Sequence, residues 1–507
     1  MNVKSLVSKG CPPFVRRLFD EIEKSPIGFR LAQGVFWTMA GTVISRGMMF
    51  CATVLVARTL GKTVFGELGM IRSTVGMFGL FAGFGLGLTA TKHVAELRQG
   101  DPARAIRIIW LSRLVAIGTG GLLAMILFIF APWLAEHTIN APHLAGVLRI
   151  SALILFINAL NGAQTGALAG FEAFKDIAYI NFFVGLFSFP IIICGAYFGG
   201  LTGTVWALAI NLCFNWMLNN VALRKEIRRY SVPFSFRGWG REWPILLKFS
   251  LPVVLASIIA SPAKWAGRVL LTNQPNGYNE MGILTAALSF QMILMFVSGM
   301  LNVPLLSIIS HAGLKISNKL RTANILSSWI LGVIVAIPLL CFPEIAQMIF
   351  GNEYDTYSFK ATFSLVVFYT SIMTFKSGLT RSMVANNILW WGVFSNSLWA
   401  FIMIVSAFFF VRWGALGLAL SFTIAYILQT VVVLPICYSR KLIPKWTFFS
   451  LKSALIWFVI VALVLLNIAN ISLIFRSIAF VPSILLVGFS FIRISKGVAG
   501  KRNLDNG

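Results

Sequence analysis

Charged residues are scarce in this chain, and acidic residues are the scarcest of them. Only 11% of the 507 residues are charged, with 16 Asp and Glu against 42 Lys and Arg, whereas soluble globular proteins carry about 25% charged residues. Hydrophobic residues make up 58% of the chain. This composition excludes an ordinary soluble domain. The formal charge of +26 does not by itself indicate nucleic-acid binding, because such binding requires a basic patch on a folded soluble surface.

The motifs of metal and catalytic sites are also lacking. The six cysteines form no CxxC pair and mostly lie in apolar runs, which indicates packing rather than disulfides or metal ligands. The four histidines form no metal-binding pattern, and neither HExxH nor GxSxG occurs. We therefore expect no cofactor and no metal, and we do not expect an enzyme.

Apolar runs long enough to cross a membrane recur from Gly34 to Phe491. The hydrocarbon core of a bilayer is about 30 Å thick and needs about 20 mostly apolar residues per helix, and about fourteen such runs are present. The runs leave no room for a separate soluble domain. The sequence thus predicts an all-α, polytopic membrane protein.

The basic residues alternate between the connections that join the apolar runs. Every second connection, counted from the start of the chain, belongs to a set that holds roughly 31 of them, and the connections in between hold roughly 4. Under the positive-inside rule, the richer set lies on the cytoplasmic side. Lys376 and Arg381 count toward the larger group, in the connection predicted after the tenth span. The pattern predicts an even number of spans and places both termini in the cytoplasm.

Weak internal similarity divides the chain into two halves. VFGELGM opens the second span of the first half, and NQPNGYNEMGILTAA leads into the corresponding span of the second. Six spans per half is an even number, so the halves share one orientation, as in parallel repeats related by an axis along the membrane normal. The predicted segments are a cytoplasmic tail with an interfacial helix at 1–30, an N-terminal six-helix bundle at 31–223, a cytoplasmic linker at 224–248, a C-terminal six-helix bundle at 249–440, two accessory transmembrane helices at 446–494 and a cytoplasmic tail at 495–507.

Four cations fall inside predicted spans, where a charged side chain costs about 2.5 to 3.5 kcal/mol on insertion scales. Arg46 lies about 18 Å from the inner edge of its span by helical rise, and Arg72 lies about 9 Å from the outer edge. Lys264 and Arg268 are four residues apart and share one helix face. No Asp or Glu occurs near the middle of any span. We expect these cations to line a cavity that takes an anionic ligand; the alternatives are snorkelling and a core arginine bonded to carbonyls.

Asparagines form two rows at helical spacing. Asn211, Asn215 and Asn219 repeat on one face of the sixth span, and Asn158 and Asn161 lie on a face of the fourth. Each amide offers both a donor and an acceptor, which suits hydroxyl-rich ligands. The candidate sugar contacts are Asn211, Asn215, Asn158 and Asn161. The alternative is hydrogen bonding between helices, with interactions that average about 0.6 kcal/mol.

Short motifs spread along the chain carry a family resemblance. ARTLG with FGELGM lies in the first outer loop, GLGLTATKHVAE closes the second span, GALAGFEAFK follows the fourth, NEMGILTAA opens the eighth and MIFGNEYDTYSF follows the ninth. In this order they resemble the polysaccharide transport family, the O-antigen and exopolysaccharide flippases of the multidrug, oligosaccharidyl-lipid and polysaccharide exporter superfamily. The resemblance implies two six-helix bundles in a V around a cavity, two accessory helices, and a multi-pass protein of a bacterial inner membrane.

The same resemblance implies a function and partners. It implies alternating-access translocation of an undecaprenyl-diphosphate-linked oligosaccharide, within membrane lipids and in the company of a polysaccharide polymerase and a chain-length regulator. Three alternatives stay open: a multidrug or cation antiporter, which needs a buried carboxylate; a peptidoglycan-precursor flippase; and a polysaccharide polymerase or ligase, which typically carries one large outer loop.

Overall fold

A computed structural model describes residues 26–83, 85–229, 259–300, 302, 305, 318–386, 388–440, 442–443 and 450–499. Across these residues the regular structure is helical. The predicted interfacial helix before residue 26 and most of the predicted 224–248 linker lie outside the described residues. The helices are α1 Pro26–Leu60, α2 Lys62–Gly83, α3 Leu86–Leu97, α4 Pro102–Trp133, α5 Ala145–Gly170, α6 Phe174–Arg229, α7 Ala260–Thr272, α8 Gly277–Gly299, α9 Asn318–Cys341, α10 Pro343–Phe350, α11 Tyr357–Ala385, α12 Leu389–Phe410, α13 Gly414–Ser439, α14 Leu451–Ile468 and α15 Leu473–Ala499.

Within the described ranges, eleven helical stretches are long and apolar enough to cross a membrane. Two of them, Phe174–Arg229 and Trp390–Ser439, contain 56 and 50 residues, enough for two crossings each at about 20 residues per crossing. The first is interrupted at Gly200, whose φ of 54° lies in the left-handed region that favours glycine. The prediction of an all-helical polytopic membrane protein is confirmed.

The chain forms two compact units, and each unit consists of several segments that are not contiguous in the sequence. Unit 1 contains 1–52, 78–129 and 149–253, and unit 2 contains 53–77, 130–148 and 254–507. Unit 2 thus combines the second half of the chain with one end of α1 and most of α2. The six-helix bundles expected at 31–223 and 249–440 stay a prediction.

Unit 1 is built on close helix contacts through glycine. A Cβ atom on Gly166 of α5 would lie 2.1 Å from the carbonyl oxygen of Gly87 in α3, so only glycine permits this approach. Thr91 donates its hydroxyl to the carbonyl oxygens of Gly87 and Gly166 at 2.9 Å each. Beside this crossing, Val94, Leu168 and neighbouring residues form a buried apolar cluster between α3, α4, α5 and α6.

Aromatic packing attaches the two accessory helices to unit 2. Trp329 of α9 is fully buried, stacks on Trp457 of α14 with ring centroids 5.4 Å apart, and meets the edge of Phe491 of α15 at 5.2 Å. Such ring pairs contribute about 0.5 to 1.5 kcal/mol beyond their buried area. The accessory pair is therefore an integral part of unit 2.

Candidate ligand-binding cavity

A cavity of about 240 Å³ lies within unit 2, among α7, α8, α11, α12 and α13. Its walls combine two lysines, two aromatic rings, and amide and hydroxyl groups with a few methionines. The lining residues are Ala260, Lys264, Met295, Met373, Lys376, Ser377, Thr380, Asn396, Trp399, Tyr426 and Gln429.

Neutral groups hold the two lysines in place. The Lys264 ammonium lies 5.6 Å from the centre of the Trp399 ring, and the Lys376 ammonium lies 5.6 Å from the centre of the Tyr426 ring. Both distances are within the range of cation–π attraction. Lys376 also donates a hydrogen bond to the side-chain oxygen of Gln429.

Gln429 is itself oriented by the neighbouring helix. Its amide nitrogen donates to the backbone oxygen and to the hydroxyl oxygen of Ser395, at 2.7 Å each. The amide oxygen is thereby directed toward Lys376. One tryptophan ring, one tyrosine ring and one oriented amide thus hold the two lysine side chains in place, and none of these groups is acidic.

The cavity is lined by two basic side chains and by no described acidic one. None of the described lining residues is acidic, and no group of three or more His, Cys, Asp or Glu within the described ranges could hold a metal ion. Ammonium groups make charge-assisted hydrogen bonds to phosphate oxygens, and the flat faces of Trp and Tyr offer apolar surface to a ring. The geometry suits an anionic ligand that also carries ring-shaped groups.

Of the four cations expected to line a cavity, only Lys264 is among the residues that line the described unit 2 cavity. Lys264 lines the cavity in unit 2, while Arg268, one turn further along α7, donates to the hydroxyl of Ser73 in α2 at 2.7 Å. Arg72 is half-buried on α2, and Arg46 is exposed on the unit 1 portion of α1. Ligand contact by Arg46, Arg72 and Arg268 stays a prediction.

The prediction that Lys376 and Arg381 lie in a connecting loop is wrong. Both lie within α11, which continues to Ala385. The helix extends past its apolar stretch because polar partners satisfy both cations inside the protein. Arg381 is 5% exposed and donates to the side-chain oxygens of Asn324, Ser328 and Asn302. Lys376 is thus a cavity residue that the basic-loop pattern concealed.

The asparagine rows form a hydrogen-bonded cluster within unit 1. Asn219 donates to the side-chain oxygens of Asn161, at 3.2 Å, and Asn215, at 2.9 Å. Asn161 in turn donates to the backbone oxygen of Leu212 at 3.1 Å. These bonds join α5 to the second half of α6, as the alternative interpretation expects.

The two remaining asparagines differ in their surroundings. Asn158 is exposed on α5, and Asn211 is buried, with a side-chain oxygen that has no hydrogen-bond partner in the described part of the chain. Sugar contact by all four candidates stays a prediction.

A charged cluster joins the accessory helices to the rest of unit 2. Arg476 of α15 is 1% exposed and donates to Glu344 of α10, to the side-chain oxygen of Asn467 at 2.9 Å, and to the backbone oxygen of Cys341 at 3.4 Å. Lys360 lies 3.4 Å from the same carboxylate. Burial alone would raise the pKa of Glu344, but hydrogen bonding and charge from Arg476 and Lys360 hold this pKa below its ordinary value. Glu344 is therefore ionised at neutral pH and fastens the helices.

The fold and the cavity define a class, that of polytopic, all-helical membrane proteins with a cationic binding cavity between helices. Residues 31–309 match the family described as Polysaccharide biosynthesis protein. The chain belongs to this family, as the sequence motifs predict.

Curated relatives at low identity have related names. The chain is 23% identical over 288 residues to the Lipid III flippase of Escherichia coli (strain K12), covering 55% of this chain and 67% of the relative. It is 24% identical over 284 residues to the EPS I polysaccharide export inner membrane protein EpsE of Ralstonia solanacearum, covering 54% of this chain and 62% of the relative.

Solved structures with the same fold include two groups of transporters. Lipid II flippase MurJ in an inward closed conformation aligns with a TM-score of 0.66 at 17% identity, covering 93% of this chain and 99% of that chain. An inward-facing multidrug resistance MATE family transporter of the MOP superfamily aligns with a TM-score of 0.59 at 15% identity, covering 80% and 98%. At this identity the likeness establishes the fold alone.

Proposed function

We propose that this chain is a flippase that moves an undecaprenyl-diphosphate-linked oligosaccharide, an O-antigen or exopolysaccharide repeat unit, across the bacterial cytoplasmic membrane by alternating access. The observation that carries the proposal is the pair Lys264 and Lys376 in one cavity that no described acidic residue lines. Two ammonium groups inside a membrane protein are costly without a counter-charge. A diphosphate supplies that counter-charge when the cargo enters.

The dimensions of the cavity fit the head of such a cargo. Its volume of about 240 Å³ lies below the range of about 300 to 1,000 Å³ that is typical of pockets enclosing a drug-sized molecule. It therefore takes the diphosphate and the sugar next to it, with the rest of the glycan and the polyprenyl chain outside. Trp399 and Tyr426 offer ring faces to that first sugar.

The family and its named relatives support this proposal. The family description concerns polysaccharide biosynthesis, and the two relatives are named as a lipid III flippase and a polysaccharide export protein. In the proposed arrangement Arg46, Arg72 and Arg268 add positive charge along the path. Asn158, Asn161, Asn211 and Asn215 contact sugars, both termini lie in the cytoplasm, and a polymerase and a chain-length regulator receive the product.

An antiporter of drugs or cations is the main alternative, because it shares this fold. Such a transporter holds its cationic cargo or coupling ion with a carboxylate, and the cavity in unit 2 offers lysines instead. Like charges repel, so this cavity disfavours a cationic cargo. A peptidoglycan-precursor flippase carries the same diphosphate, and the cavity alone does not separate the two cargoes.

The test is translocation in proteoliposomes of a fluorescent undecaprenyl-diphosphate-linked oligosaccharide. We expect the double variant Lys264→Gln, Lys376→Gln to move it at least about tenfold more slowly, since each lost hydrogen bond to a charged group is worth about 1.5 to 3 kcal/mol. Lys452→Gln is the control, because Lys452 lies at the start of α14 and does not line the cavity. Equal rates for the double variant and the wild type, or transport of a cationic dye in place of the lipid, would contradict the proposal.

A further inference from the structure

A second, smaller cavity lies within unit 1, where α4, α5 and α6 approach their basic ends. Its volume is about 40 Å³. A water molecule needs about 10 to 15 Å³ on this measure, so the cavity has room for roughly three waters. The lining residues are Ile109, Trp110, Arg113, Ala163, Gln164, Asn220, Leu223, Arg224 and Ile227.

Gln164 is the most unusual of these residues. Its side chain is 3% exposed, and neither its amide nitrogen nor its amide oxygen has a hydrogen-bond partner in the described part of the chain. A buried polar group without a partner costs about 1 to 3 kcal/mol. Among the described residues the amide nitrogen is therefore a donor without an acceptor.

Two guanidinium groups share the cavity with this amide. Arg113 lies over the ring of Trp110, at 5.2 Å from its centroid, which limits its freedom to turn away. Arg224 comes from the last turns of α6 and is exposed. Like charges at one small site repel unless an anion lies between them.

Three described carboxylates on or beside these helices pair with cations other than the two cavity arginines. The pairs are Arg98 with Glu172 at 2.5 Å, Lys225 with Asp176 at 3.3 Å and Arg229 with Glu226 at 2.7 Å. Among the described residues that line the cavity, none is acidic. The positive charge of Arg113 and Arg224 is thus available to a ligand.

We propose that this cavity in unit 1 binds one phosphate group, held by Arg113, Arg224 and the amide nitrogen of Gln164. Guanidinium groups match phosphate oxygens in geometry and charge, and the small volume admits a single phosphate but not a sugar. The phosphate group comes from an anionic phospholipid headgroup or from free phosphate at the same membrane face. The site is separate from the cavity in unit 2 and does not depend on the proposed transport function.

The test measures binding to the purified full chain in detergent by titration calorimetry. The probes are inorganic phosphate, dihexanoyl phosphatidylglycerol and, as a phosphate-free lipid, dihexanoylglycerol. We expect the wild type to bind at least one of the two phosphate-bearing probes and not dihexanoylglycerol. Binding of the lipid alone identifies a headgroup site, and binding of both identifies a general phosphate site.

Variants separate a binding role from a structural one. Arg113→Gln, Arg224→Gln is expected to weaken the affinity for the bound probe at least about tenfold, as loss of charge-assisted hydrogen bonds requires. Arg228→Gln, at an exposed arginine of α6 that does not line the cavity, is expected to bind like the wild type.

Gln164→Leu keeps the proposal testable if the arginine variant does not fold. It is expected to weaken binding severalfold while leaving the unfolding midpoint of the ligand-free protein unchanged or higher, because it removes two unsatisfied buried atoms. The proposal is overturned if neither phosphate-bearing probe binds to the wild type. It is also overturned if the double arginine variant or the Gln164→Leu variant, whichever folds, binds the probe with wild-type affinity.

Discussion

The two units use their buried polar residues in different ways. In unit 1, Asn161, Asn215 and Asn219 satisfy one another, and the resulting bonds join two helices without any charge. Unit 2 in addition holds several cationic side chains that are buried or half-buried. Arg476 is paired with a carboxylate, whereas Lys264 and Lys376 contact aromatic rings and an amide.

This difference separates fastening groups from ligand-binding groups. A buried cation with a carboxylate partner forms a structural link, because removing either partner leaves an uncompensated charge. A basic side chain held only by neutral groups is positioned but has no internal counter-charge, so an anionic ligand can supply it. The same reasoning separates Arg98 and Arg229 of unit 1, which have acidic partners, from Arg113 and Arg224, which line the small cavity.

The largest effect on stability is expected at the charged link of unit 2. Arg476→Met removes one of the two cationic partners of Glu344, leaving Lys360 at 3.4 Å, and takes the donor from the side-chain oxygen of Asn467. Breaking a buried pair costs about 3 to 5 kcal/mol, and the partial exposure of Glu344 favours the lower end of this range. The unfolding midpoint in detergent should fall accordingly.

The matched control for this variant is Arg493→Met. Arg493 lies on the same helix, α15, is exposed, and contacts the Phe489 ring at 4.1 Å. We expect a change within about 0.5 kcal/mol for an exposed position of this kind. Equal losses in the free energy of unfolding for the two variants would show that the pairing of Arg476 with Glu344 does not stabilise the fold.

A smaller effect is expected at the glycine crossing of unit 1. Gly166→Ala forces a Cβ atom to 2.1 Å from the backbone oxygen of Gly87, and overpacking of this kind costs about 1 to 3 kcal/mol. Gly162→Ala, one turn earlier on α5, meets nothing within 4 Å and should be neutral or slightly stabilising. Comparing the unfolding midpoints of the two variants tests the crossing, and a similar midpoint for both would contradict it.

The smallest effect is expected at the amide cluster of unit 1. Asn219→Ala removes the donor that bridges Asn161 and Asn215, and hydrogen bonds between membrane helices are worth about 0.6 kcal/mol on average and about 1.7 at most. We expect a small fall in the unfolding midpoint, and the translocation rate of the same variant tests the proposed sugar contacts of Asn161 and Asn215. A fall in this rate supports the sugar contacts, whereas an unchanged rate assigns the cluster to helix packing alone.

The fold class could be predicted from the sequence because each helix that crosses a membrane needs its own long apolar run. Lys264 was identified for a related reason, since a cation within such a run is conspicuous. Lys376 was not, because α11 continues past its apolar stretch and its polar end resembles a loop. The neighbouring helices distinguish that polar end from a connection, because α13 supplies Gln429 and Tyr426 to Lys376.

Most of the contacts that the sequence motifs do not predict join residues that are distant in the sequence. Arg476 and Glu344 are 132 residues apart, and each lies near the end of its own helix. A spacing rule within one helix detects neither this pair nor the meeting of α4, α5 and α6 around Gln164. Such pairs depend on which helices pack together.

Phosphate recognition by the two cavity lysines is tested most directly by comparing equilibrium binding of undecaprenyl diphosphate and undecaprenol to the purified protein. We expect the wild type to prefer the diphosphate at least about tenfold, and Lys264→Gln, Lys376→Gln to bind both lipids alike. A double variant that folds and keeps the full preference would show that this pair of lysines does not recognise the phosphate groups of the cargo.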